Sequence, residues 1–221
     1  MSQKNDEMRG EILKCSYDLF SHNDYHSVFL KDIAAQVGIS KSRLQNLFPK
    51  KREIICDLLE EYFYQLFRYI EERLTADINV YYKLTLFTAF FWKVIDSNKE
   101  LHYFMMNVTT NNELLDVLTD CVFLWLSEMK YKEGHNFEIA NLKQSLIFSI
   151  SGGIALYIKK DALNIETLYI TQNISDAFMR MMGCSDEQIN DVLKNAREWL
   201  PKMDVNPFLE YSRENIAWMQ P

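Results

Sequence analysis

The chain has 221 residues, of which 48% are hydrophobic and 14% aromatic, and its formal net charge is −7. This length allows one large domain or two small ones, and the apolar content is high enough for a substantial core. The N-terminal segment MSQKNDEMRGEI is polar, and no apolar run is long enough to span a bilayer, so we expect neither a signal peptide nor a membrane protein.

The positions of the cysteines and the lack of enzyme motifs further restrict the classes of protein to which the chain can belong. Cys15, Cys56, Cys121 and Cys184 lie far apart and form no CxxC unit, which is typical of reduced thiols in a cytoplasmic protein. The sequence contains no nucleophile elbow, phosphate loop, metal-ligand spacing or dinucleotide fingerprint. We therefore expect a cytoplasmic protein that is not an enzyme and holds no metal or cofactor.

The N-terminal part of the chain is predicted to contain a loose polar arm followed by a helix. The arm covers residues 1–7, where the sequence is polar. The helix is predicted from about Asp6 to Ser21, with Ile12, Leu13 and other apolar residues recurring on one buried face.

Residues 30–48, LKDIAAQVGISKSRLQNLF, are predicted to form a short helix, a tight turn and a second short helix. Apolar residues recur at helical spacing up to Val37. Gly38 ends this first helix, because glycine readily adopts the left-handed backbone of a helix C-terminus. Ser40 is a good N-cap for the second helix, whose Leu44 points inward.

The outward positions of this second helix carry cationic and hydrogen-bonding side chains, the types that contact phosphates and base edges. No acidic residue occurs between Ile33 and Arg52. Residues 1–52 hold 9 basic and 6 acidic side chains, whereas the remainder holds 15 and 25, and a locally basic module fits attachment to a polyanion. The predicted DNA-contacting residues are Lys31, Lys41, Ser42, Arg43, Gln45, Asn46, Lys50 and Lys51.

In these features the chain resembles the TetR-type transcriptional regulators. The resemblance covers about residues 9–60 and implies an all-α protein, with an N-terminal three-helix helix-turn-helix DNA-binding domain and a C-terminal helical domain for ligand binding and dimerisation. In the family, the N-terminus of the fourth helix typically lies on the DNA backbone, which here is the position of Lys51. The motifs that carry the resemblance, in the family's order and spacing, are Ile12-Leu13, Leu19-Phe20, Asp32-Ile33-Ala34, Gly38-Ile39-Ser40-Lys41, and Leu47-Phe48-Pro49.

Three positions depart from the family pattern. Phe29 replaces the Thr or Ser that usually caps the first helix of the motif, Ser42-Arg43 replaces a Gly-Thr pair, and Gln45 replaces a phosphate-contacting Tyr. The first departure removes the usual capping contact with DNA. The other two indicate an unusual operator, since Arg43 can pair with guanine and Gln45 can pair with adenine or contact a phosphate.

The predicted domain organisation places a DNA-binding domain at residues 1–52, with its motif at about 29–48. A connecting helix follows at 51–74, and a ligand-binding and dimerisation domain covers 75–221. A rigid helix that starts at the DNA can transmit a shape change from a ligand site. Breaks are expected at 132–136 and within 151–153. Further helices are predicted at Val80–Ser97, Glu100–Val108, Asn111–Tyr131, 137–160, 166–182 and about Ser185–Leu200, with one more short helix between Val205 and Pro221.

The region from 81 to 126 is rich in aromatic residues and methionine, which suit an apolar ligand pocket. The resemblance implies a small-molecule site among these helices, and we expect a hydrophobic effector, although ordinary core packing is the alternative for each residue. The predicted pocket residues are Phe87, Phe91, Trp92, Phe104, Met105, Phe123 and Trp125.

The helices at 137–160 and 166–182 carry apolar residues on more than one face, and such helices need a second packing partner. The resemblance implies a homodimer formed by a four-helix bundle, and Gly152-Gly153 would allow close approach of another helix. The alternative is that both helices are fully packed within the monomer. The predicted interface residues are Ile150, Ile154, Tyr157, Ile158, Ile170, Ile174 and Phe178.

Together these features predict a ligand-responsive regulator, most simply a repressor, that binds a palindromic operator on double-stranded DNA as a dimer. A small hydrophobic molecule would release it from the DNA. The alternative is a helical protein-interaction module that retains the helix-turn-helix but no longer reads DNA.

Overall fold

The computed structural model describes residues 3–74, 78–133 and 139–220, and no β-strand occurs among them. Two short 3₁₀ turns, Leu200–Lys202 and Ala217–Met219, follow the helices that end at Trp199 and Asn215. The described helices are α1 Gln3–His22, α2 Leu30–Val37, α3 Lys41–Leu47, α4 Lys51–Glu71, α5 Val80–Ser97, α6 Lys99–Thr109, α7 Asn112–Glu133, α8 Ile139–Ile158, α9 Lys160–Leu163, α10 Thr167–Met181, α11 Asp186–Trp199 and α12 Asn206–Asn215.

Most predicted helix boundaries agree with the observed ones to within three residues, but two predictions are wrong. Helix α1 already begins at Gln3, so residues 3–7 are helical rather than a loose arm. Helix α8 runs without interruption through residues 151–153, because the cost of about 0.5–1 kcal/mol for a helical glycine is small beside the packing of this helix. The predicted break at 132–136 lies mostly outside the described residues.

The chain forms two compact units, neither of which is continuous in sequence. The first unit comprises Met1–Leu66, Ile95–Leu118 and Asn206–Pro221, and the second comprises Phe67–Val94 and Thr119–Val205. Residues 95–118 and the C-terminal segment therefore belong with the N-terminal helices, and the continuous helix α4 runs from the first unit into the second.

The core of the first unit consists of aromatic and aliphatic side chains from α1, α3, α4 and α6. Phe20, Leu44 and Phe104 have no exposed surface. Tyr17 packs edge-on against Phe104, with ring centroids 5.4 Å apart. Burial of a side chain of this size contributes roughly 1.5–3 kcal/mol, so these residues fix the positions of the short motif helices.

The C-terminal segment packs into the same unit. The indole of Trp218 is almost fully buried and lies 4.4 Å from the Tyr17 ring, centroid to centroid. The backbone amide of Ala217 donates a hydrogen bond of 2.9 Å to the Glu61 carboxylate, and the Tyr211 hydroxyl donates one of 2.7 Å to Gln65. The last residues of the chain are therefore anchored on α1 and α4, inside the unit that contains the helix-turn-helix.

In the second unit, α8 and α10 pack directly on each other. A Cβ atom built on Gly153 would lie 2.2 Å from Cγ1 of Ile174, which shows that only glycine allows this approach. The closing glycine of α10, Gly183, has φ +81°, and Ser185 then caps α11 by accepting a hydrogen bond of 3.3 Å from the Gln188 amide.

An aromatic cluster fills the region of the second unit where α4, α5 and α7 meet. Phe67 stacks on Trp125 at 4.2 Å with an interplanar angle of 9°, and on Phe87 at 4.3 Å. On the other side of α5, Trp92 stacks on Tyr157 at 4.0 Å. Stacked rings at these distances add about 0.5–1.5 kcal/mol per pair beyond the area that they bury.

Helix α8 is long and apolar enough to cross a bilayer, and 33% of its most apolar window is buried in the protein. The face of α8 that contains Gly153 packs on α10. Core helices of globular proteins meet the same criteria, and α8 is the one candidate among the described residues.

Candidate nucleic-acid interface

The turn between α2 and α3 has the backbone geometry that the sequence predicts. Gly38 has φ +76°, and the Ile39 amide donates a hydrogen bond of 2.9 Å to the Ala34 carbonyl, which closes α2. The Ser40 hydroxyl accepts a hydrogen bond of 3.2 Å from the Arg43 amide and so caps α3. The two helices are therefore joined by a short, hydrogen-bonded corner.

Helix α2 is capped in an unusual way at its N-terminus. Phe29 provides no polar side chain, and its own amide donates a hydrogen bond of 2.8 Å to the Asp32 carboxylate. The Phe29 ring is 55% exposed, and the ammonium of Lys31 lies 5.4 Å from its centroid. An apolar ring and a cation therefore lie at the N-terminus of α2, and no side-chain hydroxyl caps the helix there.

The polar face of α3 is fully available to solvent. Leu44 and Phe48 anchor α3 in the core with no exposed surface, whereas the polar side chains of α3 are exposed. No acidic residue interrupts this face. The predicted contact residues that the structure places in exposed positions are Lys31, Lys41, Ser42, Arg43, Gln45, Asn46 and Lys50.

Lys51, unlike the other predicted DNA contacts, is bound to other parts of the chain. Its ammonium donates hydrogen bonds to the backbone carbonyls of Tyr25 and Val28, the latter at 2.7 Å, and lies 3.9 Å from the Tyr25 ring centroid. Partial burial lowers the pKa of Lys51. The side chain therefore holds the loop before α2 against α4, and a contact of Lys51 with DNA stays a prediction.

Two further side chains, whose roles the sequence did not predict, hold the segments around the motif helices in place. Arg9 donates a hydrogen bond of 2.8 Å to Asp57 of α4, and its guanidinium lies 4.2 Å from the Phe48 ring centroid at the end of α3. Asn107 of α6 donates hydrogen bonds of 2.9 and 3.0 Å to the carbonyls of Phe20 and Asn23. Their partners are distant in sequence, so spacing along the chain could not reveal them.

The seven predicted pocket residues fall into two groups. Phe104 and Met105 are fully buried and belong to the first unit. The remaining five belong to the second unit, where Phe123 and Trp125 are partly exposed and the other three are buried. The Trp125 indole donates a hydrogen bond of 2.8 Å to Glu71, which fixes its orientation at the edge of the aromatic cluster.

Most of the predicted interface residues are buried within the monomer. This corrects the predicted interface roles of Ile154, Tyr157, Ile170, Ile174 and Phe178, whose exposed fractions are 7% or less because α8 and α10 pack on each other. Ile150 is half-buried, and Ile158 remains 51% exposed.

A different face of α8 is exposed and apolar. Phe148 is 65% exposed and Ile147 is 44% exposed. At helical spacing they continue into exposed small residues and then Ile158, with open space around the Cβ position of Gly152. We call Ile147, Phe148, Ser151, Gly152, Ala155 and Ile158 the α8 stripe.

The α8 stripe was missed because α8 is apolar around most of its circumference. Periodicity in such a helix does not distinguish the face that packs inside the monomer from the face left outside. The serines of α8 do not help, because Ser145 and Ser149 lie on the buried face, where each hydroxyl donates a hydrogen bond of 2.7 Å to the carbonyl four residues earlier.

No protein-family model and no curated protein matches the chain. Among solved structures, RolR in complex with resorcinol aligns over 87% of this chain and 96% of its own, with 13% identity and a TM-score of 0.62. The transcriptional regulator FadR from Bacillus subtilis in complex with stearoyl-CoA aligns over 76% of this chain and 96% of its own, with 16% identity and a TM-score of 0.51. The chain therefore shares the all-α fold of these two structures, which confirms the predicted all-α fold class.

Proposed function

We propose that the protein is a transcriptional regulator that binds double-stranded DNA through the exposed face of α3. The observation that carries the proposal is the acid-free face formed by Lys41, Ser42, Arg43, Gln45 and Asn46 on a helix whose inner side is fully anchored. Cationic groups on such a face suit phosphates, while Arg and Gln side chains can form paired hydrogen bonds to guanine and adenine.

Residues at the N-terminus of α2 extend the proposed DNA-binding surface. The exposed Phe29 ring beside Lys31 combines an apolar contact with a cation, and the apolar part suits a deoxyribose or a thymine methyl group. In helix-turn-helix proteins the first helix crosses the DNA backbone while the second enters the major groove. Lys31 and Lys50 then contribute phosphate contacts at the margins of the surface.

The proposed DNA-binding form is a homodimer that packs through the α8 stripe. The stripe offers large apolar side chains at its two ends and small residues, Ser151, Gly152 and Ala155, in the middle, so a second helix can approach closely. A two-fold dimer would place its two α3 helices about 34–36 Å apart, one turn of DNA, and therefore read a palindrome.

The proposed effector is a small hydrophobic molecule bound in the second unit. The aromatic cluster there reaches the surface at Phe123 and Trp125, and stacked rings accept another flat apolar group readily. The structural neighbours RolR and FadR were solved with resorcinol and stearoyl-CoA respectively, so this fold accommodates organic ligands in those proteins.

The proposed regulation is repression with release by the effector. Helix α4 is continuous from Lys51 to Glu71 and has residues in both units, so a change at its C-terminal end can reach the motif helices. The effector shifts the protein away from its DNA-binding conformation only by its difference in affinity for the two conformations.

The test is a selection of bound fragments from sheared genomic DNA of the source organism, performed with the wild-type protein and with Arg43→Ala in parallel. We expect the wild-type protein to enrich fragments that share an inverted repeat, and the variant to lose that enrichment. Equal recovery of all fragments by both proteins would contradict the proposal. It would favour a helical interaction module that does not read DNA.

A further inference from the structure

The first unit contains a surface cavity of about 380 Å³, and every residue that lines it belongs to that unit. Its walls come from α1, α2, the start of α6 and the C-terminal segment. One side of the cavity is formed by the C-terminal segment, through Arg213, Trp218 and neighbouring residues. It is distinct from the aromatic cluster in the second unit.

The floor of the cavity contains two aromatic side chains. Tyr17 and Trp218 lie there in contact, with ring centroids 4.4 Å apart, and both are more than nine-tenths buried. Burial raises the pKa of Tyr17 to about 12, so its hydroxyl is neutral at physiological pH. This floor suits the apolar body of a ligand.

Opposite charges stand at the rim without neutralising each other. Arg213 from α12 and Glu100 from the first turn of α6 both line the cavity, and neither forms an ion pair with any residue in the described ranges. Asp18, in contrast, already accepts a hydrogen bond of 3.0 Å from Gln36. The lining of the cavity therefore includes a carboxylate and a guanidinium that form no ion pair within the described ranges, together with a second cation, Lys14.

We infer that this cavity binds a small zwitterion with an apolar body, such as an apolar α-amino acid. The carboxylate of the ligand pairs with Arg213, its ammonium pairs with Glu100, and its side chain lies on the Tyr17–Trp218 floor. Charge-assisted hydrogen bonds of this kind are stronger than neutral ones, and the fork of a guanidinium matches a carboxylate in geometry.

Such a ligand would link the C-terminal segment to the helix-turn-helix, because Gln36 of α2 also lines the cavity. Binding would stabilise the first unit in the conformation that holds the segment in place, by the usual coupling of ligand binding to folding. The inference concerns binding to this chain alone and does not depend on whether the protein binds DNA.

The experiment is a titration of the full-length ¹⁵N-labelled protein with L-phenylalanine, L-leucine and L-methionine in the millimolar range. The indole N–H signal of Trp218, assigned with Trp218→Phe, reports binding. We expect a saturable shift with at least one of the three. For L-phenylalanine, 3-phenylpropionate and phenethylamine each lack one charge and serve as analogues, and we expect roughly 10-fold weaker binding from each.

Arg213→Gln and Glu100→Gln each remove one rim charge, and we expect each to weaken binding by roughly 10-fold. Glu210→Gln is the matched control, because Glu210 is an exposed carboxylate on the same helix as Arg213 and does not line the cavity. A silent Trp218 signal with all three amino acids would overturn the inference. The inference would also be overturned if both rim variants bound the amino acid as tightly as the wild-type protein does. Analogues that bind as tightly as L-phenylalanine would overturn it too.

Discussion

Helices α3 and α8 each leave one face exposed, and the two faces differ in chemistry. The α3 face carries Lys41, Arg43 and amide and hydroxyl side chains, with no acidic residue. The α8 stripe carries Phe148, Ile147 and small residues, with no charged residue. Both faces belong to helices whose opposite sides are buried in a compact unit.

This difference indicates two kinds of partner. A cationic, hydrogen-bonding face gains little from apolar contact but gains much from a polyanion, whose counterions it releases. An exposed apolar face of this type gains by removal from water, at roughly 25 cal/mol per Å². We therefore propose DNA as the partner of α3 and a second copy of the chain as the partner of α8, and the variants below test the two proposals separately.

The largest effect is expected from Phe148→Asp, which places a charge at the N-terminal end of the α8 stripe, on its most exposed large side chain. Buried aromatic anchors at interfaces contribute about 2 kcal/mol or more, so the dimer should dissociate at least roughly 30-fold more readily. Sedimentation velocity measures the change. Leu124→Asp is the matched control, since Leu124 is 58% exposed on α7 and lies outside the stripe. Equal dimerisation of both variants would remove the stripe from the interface.

Arg43→Ala tests the polar face directly. Loss of a bidentate base contact should cost about 1–3 kcal/mol of DNA-binding free energy and relax specificity at one base position. Fluorescence anisotropy with an enriched duplex measures it. Lys194→Ala removes an exposed cation on α11 and should leave the affinity unchanged. A similar loss in both variants would mean that affinity depends on overall charge rather than on α3.

Substitutions of the two adjacent glycines of α8 test packing inside the monomer and packing between monomers separately. Gly153→Ala should destabilise the fold by about 1–3 kcal/mol, because its Cβ would overlap Ile174. Gly152→Ala meets open space, so in the monomer it should stabilise the helix by about 0.5–1 kcal/mol. We expect Gly152→Ala to weaken the dimer nevertheless. Urea unfolding and sedimentation measure the two effects, and a stronger dimer would argue against close helix approach.

The smallest effect is expected from Lys51→Met. Loss of its hydrogen bonds to the Tyr25 and Val28 carbonyls should lower the free energy of unfolding by about 1 kcal/mol, with the salt dependence of DNA binding unchanged. Lys41→Met is the comparison, because loss of a phosphate contact lowers the slope of log K against log salt by about 0.9. A reduced slope for Lys51→Met would confirm Lys51 as a DNA contact.

The helix-turn-helix was predictable because its residues act locally. Gly38 ends α2 and Ser40 caps α3 through hydrogen bonds to near neighbours in the chain, so spacing alone indicates their roles. Leu44 and Phe48 define the inner side of α3, and the outer side follows from helical geometry.

The remaining features depend on contacts between distant residues. Three contacts join segments that no local sequence pattern connects. They are the packing of Trp218 on Tyr17, the hydrogen bond from Arg9 to Asp57, and the hydrogen bond from Lys51 to the Val28 carbonyl. On α8, apolar residues surround the helix, so the buried face could be identified only from the packing of Gly153 on Ile174.

The central claim is that a dimer reads DNA through paired α3 helices, and the most direct measurement is a hydroxyl-radical footprint on an enriched fragment at several salt concentrations. We predict two protected half-sites with centres one turn apart, about 34–36 Å, and an affinity that falls steeply with salt. Phe148→Asp should lose both half-sites together. A single protected site, or an affinity equal to that for a scrambled duplex at every salt concentration, would contradict the claim.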